Sequence, residues 1–275
     1  MIEEIKRFIK EAGAYSLEKR HREEHQYNYK QDGEAARSLV TEVDLEISRR
    51  FKLFVEQQFS DLNCIIIDEE SVSAYEENVF DLVDGSDYQF VIDPIDGTIN
   101  YAADIPLYGI SIGVLKKGKP WRGFLYAPAL GELVYTDGEK VYFEKGEEVR
   151  QLAEKEFSSS KVVLAHQWDI DIFDNHFAGR LIVEDYFSAV VNLMFFALGR
   201  VKGVFAGAYI WDLSAAMAIC RVLGAGFFDY ETGGEMTAFS REFFENSCKS
   251  KTLHIVCFPE ELERVKSVSR CQRKG

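Results

Sequence analysis

The stretch that decides the fold runs Val91-Ile92-Asp93-Pro94-Ile95-Asp96-Gly97-Thr98. Its apolar start predicts a buried strand, which we expect to end at Asp93 because Pro94 lacks an N–H and cannot continue a central ladder. Gly97 permits close approach of the backbone to a ligand, and a short helix is expected to begin near Thr98. Free helical N–H groups beside two carboxylates favour an anion together with a divalent cation. The stretch therefore predicts a metal-assisted phosphate site, although Asp, Pro and Gly are also common in ordinary turns.

Length and composition describe a globular chain. Its 275 residues are enough for one large domain or for two lobes that share a core. Apolar residues make up 47% and charged residues 28%, without a signature of disorder. The net charge of −14 argues against nucleic acid as the primary ligand, because the phosphate backbone would be repelled. A local site can still bind phosphate where bound cations reverse the sign of the charge.

The cysteines and the chain's hydropathy bear on where the protein works. Five cysteines occur, an odd number, and none forms a C-x-x-C pattern. We therefore expect reduced thiols and a cytoplasmic protein rather than disulfides or a zinc site. Met1–Ile5 is acidic and amphipathic, unlike a signal sequence. No apolar run approaches membrane-spanning length, so no membrane partner is expected.

The first part of the chain mixes helical and strand patterns. Apolar residues from Ile2 to Ala12 recur at helical spacing, and Ser38–Phe59 predicts a second helix. Cys64–Ile67 is a short apolar run that predicts a strand ending in an acidic cluster. Glu76–Gly85 is expected to be a polar connection.

After the central stretch, closely spaced strands joined by Gly, Pro and Asp turns predict an antiparallel meander. These strands are Tyr108–Leu115, Trp121–Ala127, Glu132–Thr136 and Lys140–Phe143. From about Lys161 the pattern alternates between strand and helix. We expect an N-terminal α+β lobe over residues 1–150 and a C-terminal α/β lobe over residues 151–275, packed as one continuous unit.

Three acidic clusters follow apolar segments: Asp68-Glu69-Glu70-Ser71, the pair Asp93 and Asp96, and Asp212 in Trp211-Asp212 at a helix start. Taken singly, Asp212 is most simply a helix N-cap and the glutamates a solvated turn. Carboxylates at the ends of separate strands can converge, however. Mg²⁺ prefers hard oxygen ligands and needs only a few carboxylates beside substrate oxygens and water. Together the clusters predict a magnesium site.

These residues also resemble the inositol monophosphatase family, which comprises magnesium-dependent, lithium-sensitive sugar-phosphate phosphatases. Asp93–Tyr101 matches the family's Asp-Pro-x-Asp-Gly-Thr-x-Asn-aromatic signature at every fixed position. Ile66–Ser71 and Trp211–Ala216 resemble its other acidic elements, and Leu39-Val40-Thr41 with Asp44 resembles an upstream one. The resemblance covers nearly the whole chain. It implies a mixed α/β fold, a layered α-β-α-β-α sandwich, and usually a homodimer.

The resemblance also assigns roles to individual residues. It places the metal ligands at Glu69, Asp93, Ile95 through its backbone carbonyl, Asp96 and Asp212. It assigns catalytic roles to Glu70 and Thr98, which should orient the attacking water, and to Asp44, which should lie nearby in support. It places substrate contacts at Asp96, Gly97, Thr98, Ser188, Ala189, Ala206 and Asp212. Two or three Mg²⁺ ions are implied; one acidifies the attacking water and another neutralises the leaving alkoxide of a small phosphate ester.

Departures from the family pattern cluster around the substrate. Asp68 stands where the family usually has Gly, and Phe187 stands where it often has Gly before a Ser/Thr-Ala helix start. Ala206 occupies a position that is usually acidic and binds sugar hydroxyls. The expected substrate is an inositol phosphate or a related sugar phosphate. Alternatives on the same scaffold are a 3′(2′),5′-bisphosphate nucleotidase or a fructose-1,6-bisphosphatase-like activity.

Other classes of protein fit less well. A haloacid-dehalogenase-type phosphatase needs two aspartates only two residues apart after the first strand, whereas Asp93 and Asp96 are three apart and well inside the chain. A non-catalytic interaction protein on this scaffold should have lost at least one acidic residue, yet all of them remain. Neither G-x-G-x-x-G nor a P-loop occurs, which gives no support to a nucleotide-binding oxidoreductase.

Overall fold

A computed structural model describes residues 1–20, 28–29, 39–40, 42–74, 76–153, 159–165 and 181–268. Thr41 of the upstream family element lies outside these residues. The first half contains α1 (Ile2–Arg20), β1 (Asn28–Tyr29), β2 (Leu39–Val40), α2 (Glu42–Gln58), β3 (Cys64–Asp68), α3 (Val79–Gly85), β4 (Tyr88–Asp96) and α4 (Thr98–Ala102). There follow β5 (Gly109–Lys116), β6 (Lys119–Ala127), β7 (Glu132–Thr136), β8 (Val141–Lys145) and β9 (Glu148–Leu152). The second half contains β10 (Val162–Ala165), β11 (Ile182–Glu184), α5 (Ala189–Ala197), β12 (Gly203–Ala206), α6 (Ile210–Leu223), β13 (Gly226–Asp229), β14 (His254–Cys257) and α7 (Leu262–Lys266).

The larger sheet has the strand order β3-β4-β5-β6-β7-β8-β9. β3 and β4 run parallel, and from β4 onward each neighbouring pair is antiparallel. The predicted meander is therefore present, with one additional strand, β9. Its end at Leu152 places the break between the sheets just beyond residue 150, and the division into two lobes stays a prediction.

The smaller sheet has the order β11-β10-β12-β14-β13. β10 pairs in parallel with both β11 and β12, whereas β14 is antiparallel to β12 and to β13. The short strands β1 and β2 form a separate antiparallel pair. The strand and helix alternation after Lys161 thus builds a mixed sheet.

The helices lie in three layers around the two sheets. Apolar residues of α1 and α2, such as Ile9 and Phe51, pack with Phe124 on one face of the larger sheet. α5 and α6 lie between the sheets in a second cluster to which both sheets contribute. Val265 of α7 packs on the far face of the smaller sheet. This order confirms the layered α-β-α-β-α arrangement.

The strand β4 does not end at Asp93, as the sequence predicted, but continues to Asp96. Asp93 pairs with Ser111 and Asp96 with Gly109, so β4 carries an extra residue at a bulge. A bulge is one of the few places in a sheet that accepts proline, because the ladder is already interrupted there. Pro94 therefore bends the strand instead of terminating it.

Two helices also differ from expectation. Residues predicted as a polar connection form α3, which buries Val79, Phe80 and Val83. α6 begins at Ile210, earlier than Leu213, so Asp212 lies within its first turn and is not its N-cap. The helices in the described residues are too short or too polar to span a lipid bilayer. The cysteines in the same residues are all free.

Candidate functional site

Three aspartates from distant parts of the chain converge at one edge of the larger sheet. Asp93 and Asp96 flank the bulge of β4, and Asp212 comes from the first turn of α6. Carboxylate oxygens of all three lie within 4.8 Å of one another. Asp93 is 2% exposed and Asp212 8% exposed. Two of the three acidic clusters noted in the sequence therefore lie together in the structure.

Burial and mutual repulsion both act on these carboxyl groups. Burial raises the pKa of Asp93 well above its usual range, and the charges of Glu69, Asp212 and Asp96 raise it further. The pKa of Asp212 is raised in the same way, first by burial and then by Asp96. Burial also raises the pKa of Asp96 to about 6. A site that disfavours its own negative charges binds a divalent cation readily, because the cation replaces protons as the compensating charge.

One oxygen of the cluster has no partner. Asp93 Oδ1 is buried and takes no hydrogen bond within the described part of the chain, which is costly for a carboxylate oxygen unless a cation binds it. The nearby Ile95 carbonyl accepts the Thr98 hydroxyl at 3.0 Å and retains a second lone pair. Hard oxygen donors of this kind, gathered in a buried cluster, fit Mg²⁺.

Asp96 is tied to the start of α5. Its Oδ2 accepts the Ser188 hydroxyl and the Val190 N–H, the latter at 2.7 Å. The Ala189 N–H also donates to this carboxylate, and these hydrogen bonds partly oppose the effect of burial on its pKa. Helix N–H groups stabilise a negative charge at this position. Ser188 and Ala189, predicted to contact substrate, thus hold Asp96, and their role toward substrate stays a prediction.

Gly97 directly follows β4 and packs against the segment before α5. Its φ of 82° belongs to the left-handed region that favours glycine. A Cβ at this position would lie 3.0 Å from Ser188 Cβ and 3.2 Å from the carbonyl oxygens of Leu107 and Phe187. The glycine is therefore required by the close approach of two backbone segments as well as by its conformation.

The third acidic cluster lies on a 3₁₀ turn, Glu69–Ala74, directly after β3. Because β3 is parallel to β4, with Asp68 opposite Ile92, this turn leaves the sheet at the same edge as the aspartates. The charge of Glu69 raises the pKa of Asp93, Asp96 and Asp212, after burial, which is the largest cause in each case. Glu69 therefore lies beside the cluster, although it is outside the group of oxygens within 4.8 Å.

Asp68, expected to be a tolerated replacement of Gly, is fully buried. Its carboxylate accepts the hydroxyls of Ser48 and Ser71 and the Glu70 N–H, the last at 3.2 Å. Lys52 Nζ lies 3.0 Å from its Oδ2. These contacts fasten the turn that carries Glu69 and Glu70 to α2.

Two further residues predicted to belong to the site are Asp44 and Ala206. Asp44 is buried on α2. The pKa of the Tyr101 hydroxyl is raised chiefly by the burial of that hydroxyl, and the charge of Asp44 raises it further. Ala206 ends β12 and lies in the apolar cluster between the sheets. Support of the attacking water by Asp44 and contact of substrate at Ala206 both stay predictions.

Asn100 has a structural role that its place in the signature did not reveal. Its side-chain amide donates to the Leu107 carbonyl at 2.6 Å and to the Tyr186 carbonyl at 2.7 Å. It thereby joins α4 to the segment that precedes α5. A buried polar residue in a motif is a signal of such a bond, but its partners are too distant in sequence to be inferred.

Comparisons with known proteins agree with the fold. A family model described as the inositol monophosphatase family matches residues 1–260. A curated relative from Thermotoga maritima, "Fructose-1,6-bisphosphatase/inositol-1-monophosphatase", is 29% identical over 214 residues, which cover 75% of this chain and 77% of the relative. A solved IMPase from Thermotoga maritima has a TM-score of 0.70 at 25% identity and covers 95% of this chain and 93% of its own. A structure described as an IMPase/NADP phosphatase complexed with Mg²⁺ and phosphate has the same fold, with a TM-score of 0.68 at 16% identity over 97% of this chain and 92% of its own. The chain therefore belongs to the inositol monophosphatase family, in which the named relatives are phosphatases.

Proposed function

We propose that the protein is a Mg²⁺-dependent phosphatase that hydrolyses small phosphate monoesters by direct attack of water. The observation that carries the proposal is the convergence of three carboxylates, those of the buried Asp93 and Asp212 and of the partly buried Asp96. One oxygen of Asp93 has no hydrogen-bond partner in the described residues. Without a cation this arrangement would be a net cost to the fold. The structural neighbour that is complexed with Mg²⁺ and phosphate supports the same choice of ion.

The proposed metal ligands are those assigned by the family resemblance. Glu69, Asp93 and the Ile95 carbonyl would hold one ion, and Asp93, Asp96 and Asp212 another. When bound, the ions supply Lewis acidity, which acidifies water and neutralises charge on the phosphate and on the leaving oxygen. The convergence of the aspartates and the charge of Glu69 beside them support this ligand set.

The remaining roles fall to residues around the cluster. The N–H groups of Gly97 and Thr98, at the start of α4, would bind the phosphate. The Thr98 hydroxyl donates to the Ile95 carbonyl, so its oxygen remains able to accept a hydrogen bond from the attacking water. Glu70 would take a proton from that water as a general base, with Asp44 in support. The buried Asp68 holds Glu70 in place through the Glu70 N–H.

The substrate is proposed to be an inositol phosphate or a related sugar phosphate, with a bisphosphate as the alternative. The curated Thermotoga relative carries both activities in its name, fructose-1,6-bisphosphatase and inositol-1-monophosphatase. Phe187 is 38% exposed, so it does not point into the core. That exposure favours a pocket that differs from one built for inositol alone.

The decisive experiment measures phosphate release from a panel of monoesters and bisphosphates, with Mg²⁺ and with EDTA. Asp93→Asn should lower kcat by at least about 10²- to 10³-fold, since losing even one electrostatic contact to the reacting groups typically costs that much. Asp61→Asn, at an exposed position, is the matched control and should retain activity. A kcat of Asp93→Asn within about fivefold of the wild-type kcat would contradict the assignment, because that difference is smaller than the free energy of a shift of one pKa unit.

We also propose a cytoplasmic homodimer. Support comes from the family resemblance and from the free cysteines of the described residues. Light scattering coupled to size-exclusion chromatography measures the oligomeric state directly, and a monomer at micromolar concentration would contradict the dimer.

A further inference from the structure

Phe187 has an unusual backbone conformation. Its φ is 55°, in the left-handed region. Residues with bulky side chains rarely adopt this conformation. Such strain persists only where the surrounding structure over-determines it, and it is concentrated at functional sites.

The strained conformation is held from both sides by the candidate site. Before Phe187, the Asn100 side chain binds the Tyr186 carbonyl at 2.7 Å. The Phe187 N–H itself donates to Asp185 Oδ1 at 2.8 Å. After it, the Ser188 hydroxyl donates to Asp96. The contacts that position a proposed metal ligand thus also fix an aromatic residue.

The ring of Phe187 is directed away from the core. It is 38% exposed and makes no ring contact with another aromatic side chain of the described residues. Burying a phenylalanine side chain is normally favourable by about 1.5–3 kcal/mol. An exposed ring on a strained backbone, one residue from the helix start that binds Asp96, is therefore well placed to contact a ligand.

A second exposed aromatic residue, Tyr209, lies at the start of the other helix. It precedes α6, and its N–H donates to Asp212 Oδ2 at 2.8 Å. The side chain is 36% exposed. Its ring stacks on that of Trp211, with centroids 4.6 Å apart and an interplanar angle of 6°. This stacking gives the exposed ring a fixed orientation beside the cluster.

α5 and α6 both begin at the three aspartates, so each helix start adds one exposed aromatic ring to the surroundings of the site. We propose that Phe187 and Tyr209 form an aromatic rim that selects phosphate monoesters whose leaving alcohol carries a planar aromatic group. The inference rests on the proposed phosphatase function and specifies its substrate class. Stacking on such rings is the source of the selectivity.

The test compares 2-phenylethyl phosphate with glycerol 1-phosphate, both esters of primary alcohols. The readout is the ratio of their kcat/KM values, because a general effect on the metal site cancels in the ratio. The wild type should prefer the aromatic ester. Phe187→Leu and Tyr209→Leu, which keep an apolar side chain without a ring, should each lower the ratio by roughly 5- to 100-fold, the range expected for loss of one stacking contact. Leu53→Ala, at an exposed apolar position on α2, is the control and should leave the ratio unchanged.

Binding is measured separately by calorimetry with 3-phenylpropylphosphonate and propylphosphonate in the presence of Mg²⁺. The aromatic phosphonate should bind more tightly to the wild type, and the difference should shrink in Phe187→Leu. Hydrolysis of both esters with an unchanged ratio in both Leu variants would overturn the aromatic rim while leaving the phosphatase intact. If neither ester nor any member of the panel is hydrolysed, the proposed function itself fails, and the rim as a substrate selector fails with it.

Discussion

Asp96→Asn should stabilise the metal-free protein while it abolishes activity. The pKa of Asp96 is raised from 3.8 to about 6, chiefly by burial. Each pKa unit corresponds to about 1.4 kcal/mol, so the ionised carboxylate lowers the free energy of unfolding by about 3 kcal/mol at pH 7.5. Asn removes the charge, and its amide oxygen can still accept the Ser188 hydroxyl and the Val190 N–H. The variant should therefore gain up to about 3 kcal/mol.

The assay is thermal unfolding in EDTA at pH 7.5. For a chain of this size, about 3 kcal/mol corresponds to a rise in Tm of roughly 5–10 °C. Addition of Mg²⁺ should raise the Tm of the wild type more than that of the variant, because the ion stabilises only a site that binds it. Asp61→Asn, at an exposed position, should leave the Tm in EDTA unchanged. A lower Tm for Asp96→Asn in EDTA would refute the reasoning.

The same shift predicts a pH dependence of the metal-free wild type. The pKa of Asp96 is higher in the folded state than the value of 3.8 expected in the unfolded state. Its protonation thus stabilises the fold fully below about pH 4, and this contribution is lost as the pH rises through about 6. Asp93 and Asp212 act with the same sign. In EDTA, the wild type should lose stability between pH 5 and pH 7, and Asp96→Asn should lose less.

Two further predictions concern the ion and the turn that carries Glu69. Ca²⁺ should inhibit phosphate release where Mg²⁺ supports it, because calcium takes more ligands at longer distances. Equal turnover with Ca²⁺ as the only divalent ion would count against the proposed geometry. Inhibition by Li⁺ is expected from the family resemblance. Asp68→Asn should lower the free energy of unfolding by about 1–3 kcal/mol, since buried donors lose a charged acceptor, and should weaken Mg²⁺ binding. Denaturant unfolding and Mg²⁺ calorimetry check it, and an unchanged value in both would show that Asp68 does not hold the turn.

Most of the fold could be predicted because its strands are marked by local patterns. β7 has the bounds that the sequence indicated. The bulge at Pro94 could not be predicted, since it depends on how β4 pairs with β5. α3 was missed because it is short and its apolar side is completed by distant residues, as in the contact of Phe80 with Phe239.

The site shows the same limit. The motif spacing identified Asp93, Asp96 and Asp212, because each adjoins a strand end or a helix start. It could not identify the partners of Asp68, which come from α2 and from the turn itself. It named Phe187 as a departure from the family pattern, but the strained backbone and the exposure of its ring are properties of the folded chain.

The arrangement of the two helix starts explains how substrate preference can vary without loss of the metal site. Asp96 and Asp212 each direct one oxygen to backbone N–H groups at the start of α5 or α6. Those N–H groups belong to the main chain, so they stay in place whatever side chains surround them. Tyr209 immediately precedes α6, and Phe187 lies one residue before Ser188, the N-cap of α5. A substitution at either position changes the surface proposed to meet the leaving alcohol while the contacts to the carboxylates remain. Selection of the substrate and binding of the metal therefore use the same backbone but different side chains.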